Sequence, residues 1–382
     1  MKKKVAILGS TGSIGIQTLE VLEWYPDLFQ VYALTAGSNS ALLTKQIEQC
    51  KPKKVAISNL SGFNYIKQNS PTNCETLYEL DGILEIVQDE NVDIVVNALV
   101  GGIGILPSIT ALQNGKRLCL ANKETMVAMG RSIYKFLKNG AEIIPVDSEH
   151  SALFQLMEGH NSDDVSKLIL TASGGPFWDK NTDINNILPE DVLKHPTWDM
   201  GAKITVDSAT MMNKGFEVIE ACALFGFDID KVEVVIHPQS IIHSMIEFID
   251  GVVLAQLSHT DMRLPIQHSL LYPGRKSNPL PPFRLSELKS LTFHQVDTEF
   301  FPCLQTAKYV VERGGNYPAI LVGADDAVVD AFLDNRVKYR QIPEIIKQTL
   351  EIPVYIENPD INQIVDSISQ GYNSAKTIID NQ

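Results

Sequence analysis

Cysteine is scarce in this chain and is not arranged for bonding. The five cysteines, Cys50, Cys74, Cys119, Cys222 and Cys303, are scattered over 382 residues without a CxxC pair. That spacing argues against a disulfide framework or a zinc knuckle and suits reduced thiols in a cytoplasm. Long apolar runs are missing too. Residues 5–8 follow three lysines, as in a secretory signal, but Gly9 stops the run, and no other run approaches membrane-spanning length. A surplus of positive charge is the third absence. With 32 Lys and Arg against 46 Asp and Glu, the formal net charge is −14. Phosphate backbones are bound by basic surfaces, so a nucleic-acid partner is not expected, although a local basic pocket could still hold a small anion. What remains is a soluble, cytoplasmic, globular protein, 44% hydrophobic and 20% charged, long enough for two or three domains.

The N-terminal third alternates strand and helix signals. Residues 5–8 read as a buried strand, followed at once by Gly9-Ser10-Thr11-Gly12-Ser13-Ile14-Gly15 and then by an apolar helix face of Ile16, Leu19, Val21 and Leu22. Strand, glycine turn and helix together form the context of a dinucleotide fingerprint, in which backbone N–H groups and the helix N-terminus meet a pyrophosphate. Its spacing is GxxGxxG, not the GxGxxG more usual for NAD. At the end of the second strand, residues 31–36, no acid stands ready for a ribose 2′-hydroxyl. Gly37-Ser38-Asn39-Ser40 supply small donors instead, which favours NADP over NAD, though no arginine is there either. Further strands are expected near 54–57, 93–97, 117–121 and 142–146, with helices near 82–88, 105–114 and 125–138. The pattern implies a Rossmann-like, doubly wound parallel sheet with its ligand at the strands' carboxyl ends.

Two carboxylates, Asp147 and Glu149, stand just past the strand at 142–146, with Ser148 between them and His150 behind. In an extended segment positions i and i+2 project to one side, so the pair could share a hard cation. The alternative is a helix start in which Ser148 caps and Glu149 meets the helix dipole. Because the pair falls at the carboxyl end of the sheet, beside Asn97 and Asn122-Lys123-Glu124, the cation reading gains weight.

Beyond this point lies a segment from Ser173 to Gly201 with glycines, prolines and the aromatic anchors Trp178 and Trp198, suited to a lid. Trp178 could equally be core. A helix is then expected from Asp207 or Ser208, placing Asn213, Glu217 and Glu220 on one face, with Lys214 adjacent; a solvated helix face is the competing interpretation. Strands at 232–237, 240–248 and 252–257, the last two joined at Asp250-Gly251, imply a mixed or antiparallel sheet. His237 and His243 are taken as structural. Residues 278–283 form a stiff proline-rich linker, and four helical stretches follow at 304–313, 318–334, 343–350 and 361–379.

Taken together, these stretches closely resemble the 1-deoxy-D-xylulose 5-phosphate reductoisomerase family over essentially the whole chain. The carriers are GSTGSIG at 9–15, LANKE at 120–124, PVDSEHSA at 145–152, SGGPF at 173–177, VDSATMMNKGFE at 206–217, HPQSIIHS at 237–244 and DMR at 261–263. The resemblance implies a homodimer with an NADPH domain (1–147), a catalytic and dimerisation α+β domain (148–277) with its lid at about 173–202, a linker (278–301) and a C-terminal helical domain (302–382). It implies Asp147, Glu149 and Glu217 as ligands of Mg2+, Mn2+ or Co2+, with Lys123 near the reacting carbons. The sugar phosphate would be held by Lys123, Ser148, Glu149, Ser173, His195, Trp198, Ser208, Asn213, Lys214 and Glu217. NADPH would lie on Gly9, Thr11, Gly12, Ser13, Ile14, Gly37, Ser38, Asn39, Asn122, Glu124 and Gly201. Many members carry a basic residue where this chain has Ser38, a departure that bears on the grip on the 2′-phosphate. The implied reaction is rearrangement and reduction of 1-deoxy-D-xylulose 5-phosphate to 2-C-methyl-D-erythritol 4-phosphate in the non-mevalonate isoprenoid pathway. Two other classes are weighed against it: a simpler NADP-dependent dehydrogenase of a hydroxy or semialdehyde substrate, and a non-catalytic NADPH sensor.

Overall fold

Seven short runs, most of them rich in Val, Ile, Leu and Ala, build a parallel sheet. They are β1 (Lys3–Leu8), β2 (Phe29–Ala36), β3 (Lys54–Ile57), β4 (Glu75–Tyr78), β5 (Ile94–Asn97), β6 (Arg117–Leu120) and β7 (Glu142–Pro145). The computed structural model describes residues 1–71, 73–138, 140–179, 183–193, 198 and 200–382. Strand order is β4-β3-β2-β1-β5-β6-β7, all pairs parallel, so the order reverses between β1 and β5. In doubly wound sheets ligands enter at that switch point. The strand interiors of β1, β5 and β6 are almost wholly buried, as a parallel sheet covered on both faces requires.

Chain contacts divide the molecule into two compact units. The first comprises Met1–Asn122, Ser132–Ser151 and Asp261–Pro282; the second comprises Lys123–Arg131, Ala152–Thr260 and Phe283–Gln382. The sequence-based division at 147/148 and 277/278 runs the chain in continuous blocks, whereas these units are interleaved. One reason is the helix Arg263–Leu271, which the sequence reading passed over. It packs on the helix Ser13–Trp24 and contributes Ile266 and Leu270 to the first unit's core. Arg263 bonds Asp261 in a fork (Nε–Oδ1 2.9 Å, Nη2–Oδ2 2.6 Å), pairs with Glu20 and lies 5.9 Å over the Trp24 ring. The DMR motif is thus a clip between two helices of the nucleotide-binding unit.

The second unit is built on a mixed sheet, order β11-β10-β8-β9-β12, from β8 (Val165–Ala172), β9 (Val232–Ile236), β10 (Ile242–Phe248), β11 (Val253–Leu257) and β12 (His294–Gln295). The β10–β11 hairpin turns at Asp250-Gly251, as expected. Helices Pro302–Arg313, Tyr317–Leu333, Ile342–Leu350 and Ile361–Asp380 match the four C-terminal stretches closely. They pack within this unit: Pro302–Arg313 lies on Met212–Phe225, and Leu304 joins the core beneath the sheet. Among the described residues no helix is long and apolar enough to cross a membrane.

Candidate functional site

In the first unit, the turn after β1 is held from three sides. Gly9 has φ +84°, and a Cβ there would lie 2.6 Å from the Ala98 carbonyl oxygen, so only glycine lets the β1 and β5 turns approach. Gly9 N donates to Thr35 Oγ1 at 2.9 Å. Ser10 Oγ donates to Gln46 Oε1 at 2.7 Å, and Gln46 Nε2 returns a bond to the Ser10 carbonyl at 2.8 Å. The result leaves Gly12 and Ser13 exposed at the N-terminus of the helix Ser13–Trp24, where backbone N–H groups can meet an anion. Gln46 was missed from the sequence. Its signal was a polar residue, 3% exposed, in the apolar stripe with Leu43 and Ile47.

Gly37, Ser38 and Asn39 are exposed past the end of β2. Asn39 Oδ1 accepts from Leu42 N at 3.1 Å, capping the helix Ser40–Cys50. Asn97 and Asn122 are buried and bonded inward: Asn97 Nδ2 to the Gly104 carbonyl (2.9 Å) and Ser108 Oγ (2.7 Å), Asn122 Nδ2 to the carbonyls of Leu99 and Gly101 (2.9 and 3.0 Å).

At Asp147–His150 the helix-start alternative is the one found, and the extended pair is not. The chain is not extended here, because a helix begins at Ser148 and runs to Met157. Asp147, not Ser148, is its cap: Oδ1 accepts from Glu149 N at 3.2 Å and is 3.0 Å from Nδ1 of the fully buried His150. Ser148 Oγ donates to Glu149 Oε2 at 2.5 Å. The two carboxylates still converge, with oxygens within 4.8 Å of one another, but through first-turn geometry and not through strand alternation. Oxygen donors so spaced fit a hard divalent cation.

In the second unit, Glu217 gathers the polar groups. It is 1% exposed on the helix Met212–Phe225. Asn213 Nδ2 donates to its Oε1 at 2.6 Å and Lys123 Nζ lies 3.3 Å from the same oxygen, while Lys214 Nζ pairs with Oε2 and donates to the Thr171 carbonyl at 2.5 Å. This is a charged, buried cluster, not a solvated helix face. Asn213 Oδ1 is buried with no hydrogen-bond partner among the described residues. Met211, at φ +62°, is the single hinge residue between the helices Ala202–Thr210 and Met212–Phe225, so Ser208 and Asn213 flank one sharp bend.

Ser173 follows β8, and its Oγ accepts from Gly175 N at 3.3 Å. Gly175 has φ +63°, and a Cβ there would meet the Ser208 carbonyl oxygen at 2.9 Å, so this turn lies directly against the Ser208 helix. Trp198 is half-buried, 6.4 Å from the His243 ring; Trp178 is half-buried against His294. Gly201 is exposed at the start of the helix Ala202–Thr210, and Glu124, buried, lies in the first turn of Lys123–Met129. His195 lies outside the described residues. His237 is structural, as read: Nδ1 sits 2.9 Å from the Thr292 carbonyl, Nε2 accepts from Ile241 N, and the ring stacks on Phe293.

Family models of 1-deoxy-D-xylulose 5-phosphate reductoisomerase match residues 5–130, those of its C-terminal domain match 143–225, and a further C-terminal domain model of the same enzyme matches 257–376. The chain belongs to the 1-deoxy-D-xylulose 5-phosphate reductoisomerase family. It is 45% identical to the reductoisomerase of Desulforamulus reducens over 386 residues, covering all of both chains. To that of Caldanaerobacter subterraneus it is 47% identical over 366 residues, 95% of this chain and 96% of the other. Among solved structures, the reductoisomerase from Zymomonas mobilis in complex with NADPH superposes with a TM-score of 0.92 at 35% identity over the full length of both. A reductoisomerase in complex with NADPH, fosmidomycin and magnesium superposes with a TM-score of 0.92 at 36% identity, covering 99% of this chain and 98% of the other. The chain is therefore an enzyme of this family, with its Rossmann-like, mixed-sheet and helical parts.

Proposed function

We propose that this enzyme converts 1-deoxy-D-xylulose 5-phosphate to 2-C-methyl-D-erythritol 4-phosphate in the non-mevalonate isoprenoid pathway, using NADPH and a divalent metal. The observation that carries the reading is the arrangement around Glu217, where Lys123, Asn213 and Lys214 converge on one buried carboxylate. NADPH lies on the Gly9–Ile14 turn and on Gly37, Ser38, Asn39, Asn122, Glu124 and Gly201, and supplies the hydride. Asp147, Glu149 and Glu217 hold Mg2+, Mn2+ or Co2+, which supplies Lewis acidity toward adjacent hydroxyl and ketone oxygens. Family membership and the solved relatives that contain NADPH and magnesium support both assignments.

The protein's own groups divide the remaining work. Ser173, Ser208, Asn213 and Lys214 donate to the phosphate. The Asn213 Oδ1, buried and without a partner among the described residues, accepts from a substrate hydroxyl. Lys123 stands at the reacting carbons and stabilises negative charge there. Ser148 donates to a substrate oxygen, His195 contacts the substrate, and Trp198 covers it and keeps water out. The enzyme works as a cytoplasmic homodimer.

The test is NADPH oxidation with 1-deoxy-D-xylulose 5-phosphate, with and without Mg2+. Turnover that requires both the substrate and the metal is expected. Oxidation undiminished by EDTA would instead favour a simple dehydrogenase, and NADPH binding without turnover a sensor.

A further inference from the structure

Lys203, in the first turn of the helix Ala202–Thr210, has no part in the site described above. Its Nζ lies 2.8 Å from Asp207 Oδ2 on the same helix, 2.7 Å from Asp325 Oδ2 and 3.4 Å from Asp326 Oδ1, and 5.4 Å over the Phe216 ring. Asp207 and Asp325 are 3% and 0% exposed, and each keeps its Oδ1 buried with no hydrogen-bond partner among the described residues. One cation thus faces three carboxylates, and buried Glu124, on the helix Lys123–Met129, adds a fourth negative field. Buried charge persists only when paired, so every acid here leans on this lysine.

The bond from Lys203 joins two elements, Ala202–Thr210 and Tyr317–Leu333. Asp207, the residue it grips, immediately precedes Ser208. A second tie from the C-terminal helices, Tyr339 Oη to the Ala209 carbonyl at 2.6 Å, holds the helix on the other side of Ser208. We propose that Lys203 is a positioning residue: by joining Asp207 to Asp325 it sets the place of Ser208 for the substrate phosphate. The inference rests on the reading of Ser208 as a phosphate ligand.

The acids also supply a signature that ordinary packing would not. Burial, outweighing Lys203, pushes the Asp326 carboxyl up to about 7, and burial with the neighbouring Asp325 raises Asp207 above its usual range. The other titratable groups facing the cluster are the Cys303 thiol, pushed up by burial and by Asp325 and Asp207, and the Tyr372 hydroxyl near Asp326. Both stay neutral near pH 7. Without the lysine, protons must compensate the acids, so any defect should shrink as pH falls.

The experiment measures KM for the sugar phosphate and kcat, relative to wild type, between pH 8.5 and 6, for Lys203→Met, for Lys203→Met with Asp325→Asn, and for Asp207→Asn. Lys203→Met should raise KM on the order of tenfold at the alkaline end with a much smaller change in kcat, and the excess should fade toward pH 6. Adding Asp325→Asn should restore much of the loss. An unchanged KM, a loss equal at every pH, or no restoration would overturn the proposal. If Lys203→Met does not fold, Asp207→Asn decides: a raised KM for the sugar phosphate at unchanged KM for NADPH supports the tie, and an unchanged one overturns it. Wild-type enzyme without turnover on this substrate would overturn the functional reading and this one together, whereas an active wild type beside unaffected variants overturns this one alone.

Discussion

Oε1 of Glu217 takes the amide of Asn213 at 2.6 Å and the ammonium of Lys123 at 3.3 Å, while Oε2 pairs with Lys214. A carboxylate with two ammonium groups and an amide on it, almost sealed from water, is fixed in place by them. Replacing it with Gln removes the charge but keeps the shape and one acceptor. Glu217→Gln should therefore lower turnover about 10²- to 10³-fold, the scale of losing a fixed electrostatic contact to the reacting group. NADPH affinity should be unchanged, and Mg2+ should activate the variant poorly. A Glu217→Gln enzyme with normal magnesium dependence would remove Glu217 from the ligand set.

Asp147 performs two tasks that one substitution separates. Its Oδ1 caps the helix Ser148–Met157 and meets His150. Asn caps a helix about as well as Asp, so Asp147→Asn should fold normally while offering a cation a weaker, neutral oxygen. The expected outcome is an unfolding midpoint close to wild type and a Mg2+ requirement shifted upward about tenfold or more, read from titrations of turnover against metal. A variant that loses stability without a change in metal requirement would assign Asp147 to the cap alone.

Gln46 fixes the nucleotide turn through Ser10, giving and taking one hydrogen bond each. Gln46→Leu fills the same space and leaves the Ser10 hydroxyl and carbonyl without those partners. The loss of about 1 kcal/mol corresponds to about a fivefold change in affinity. It should appear as a raised dissociation constant for NADPH, measured by nucleotide fluorescence, with KM for the sugar phosphate unchanged. Equal loss on both ligands would mean that the turn serves the fold and not the cofactor.

Much of this was legible before the structure because the signals were local. The β1 turn and the four C-terminal helices come from short-range periodicity and glycine placement, whereas the single helix expected from Asp207 or Ser208 is two, Ala202–Thr210 and Met212–Phe225, broken at Met211. The helix Arg263–Leu271 escaped because its buried run includes Gln267, His268 and Ser269, so polar and apolar positions do not sort onto opposite faces, and Pro265 sits in its first turn. The strand β12 escaped because it is only His294 and Gln295, paired with β9 at a sheet edge. The geometry at Asp147 escaped for a different reason: a cap and an extended pair use the same residue types. Only the backbone distinguishes them. Contacts such as Lys203 to Asp325, 122 residues apart, leave no trace in any window of sequence.

Acid stability is set in part at one rim of the parallel sheet, where Lys54 lies 2.9 Å from Glu85, 3.4 Å from Asp89 and 3.5 Å from Glu75. Burial pushes the Asp89 carboxyl up, but the N–H groups of Asn91, the Tyr32 hydroxyl and Lys54 together hold it down at about 2, against 3.8 when free. A depressed carboxyl binds its proton more weakly when folded than when unfolded. Its contribution is therefore complete above about pH 5 and is lost as pH falls through 4 toward 2. Asp89→Asn should cost about 1–2 kcal/mol in urea unfolding at pH 7, since it removes the charge on which Tyr32, Asn91 and Lys54 converge. The gap between variant and wild type should narrow between pH 5 and pH 3, because wild-type Asp89 loses its advantage there and the Asn does not titrate. A gap that stays constant over that range would mean that Asp89 acts through packing alone, and that the acid sensitivity of this unit arises at other carboxylates.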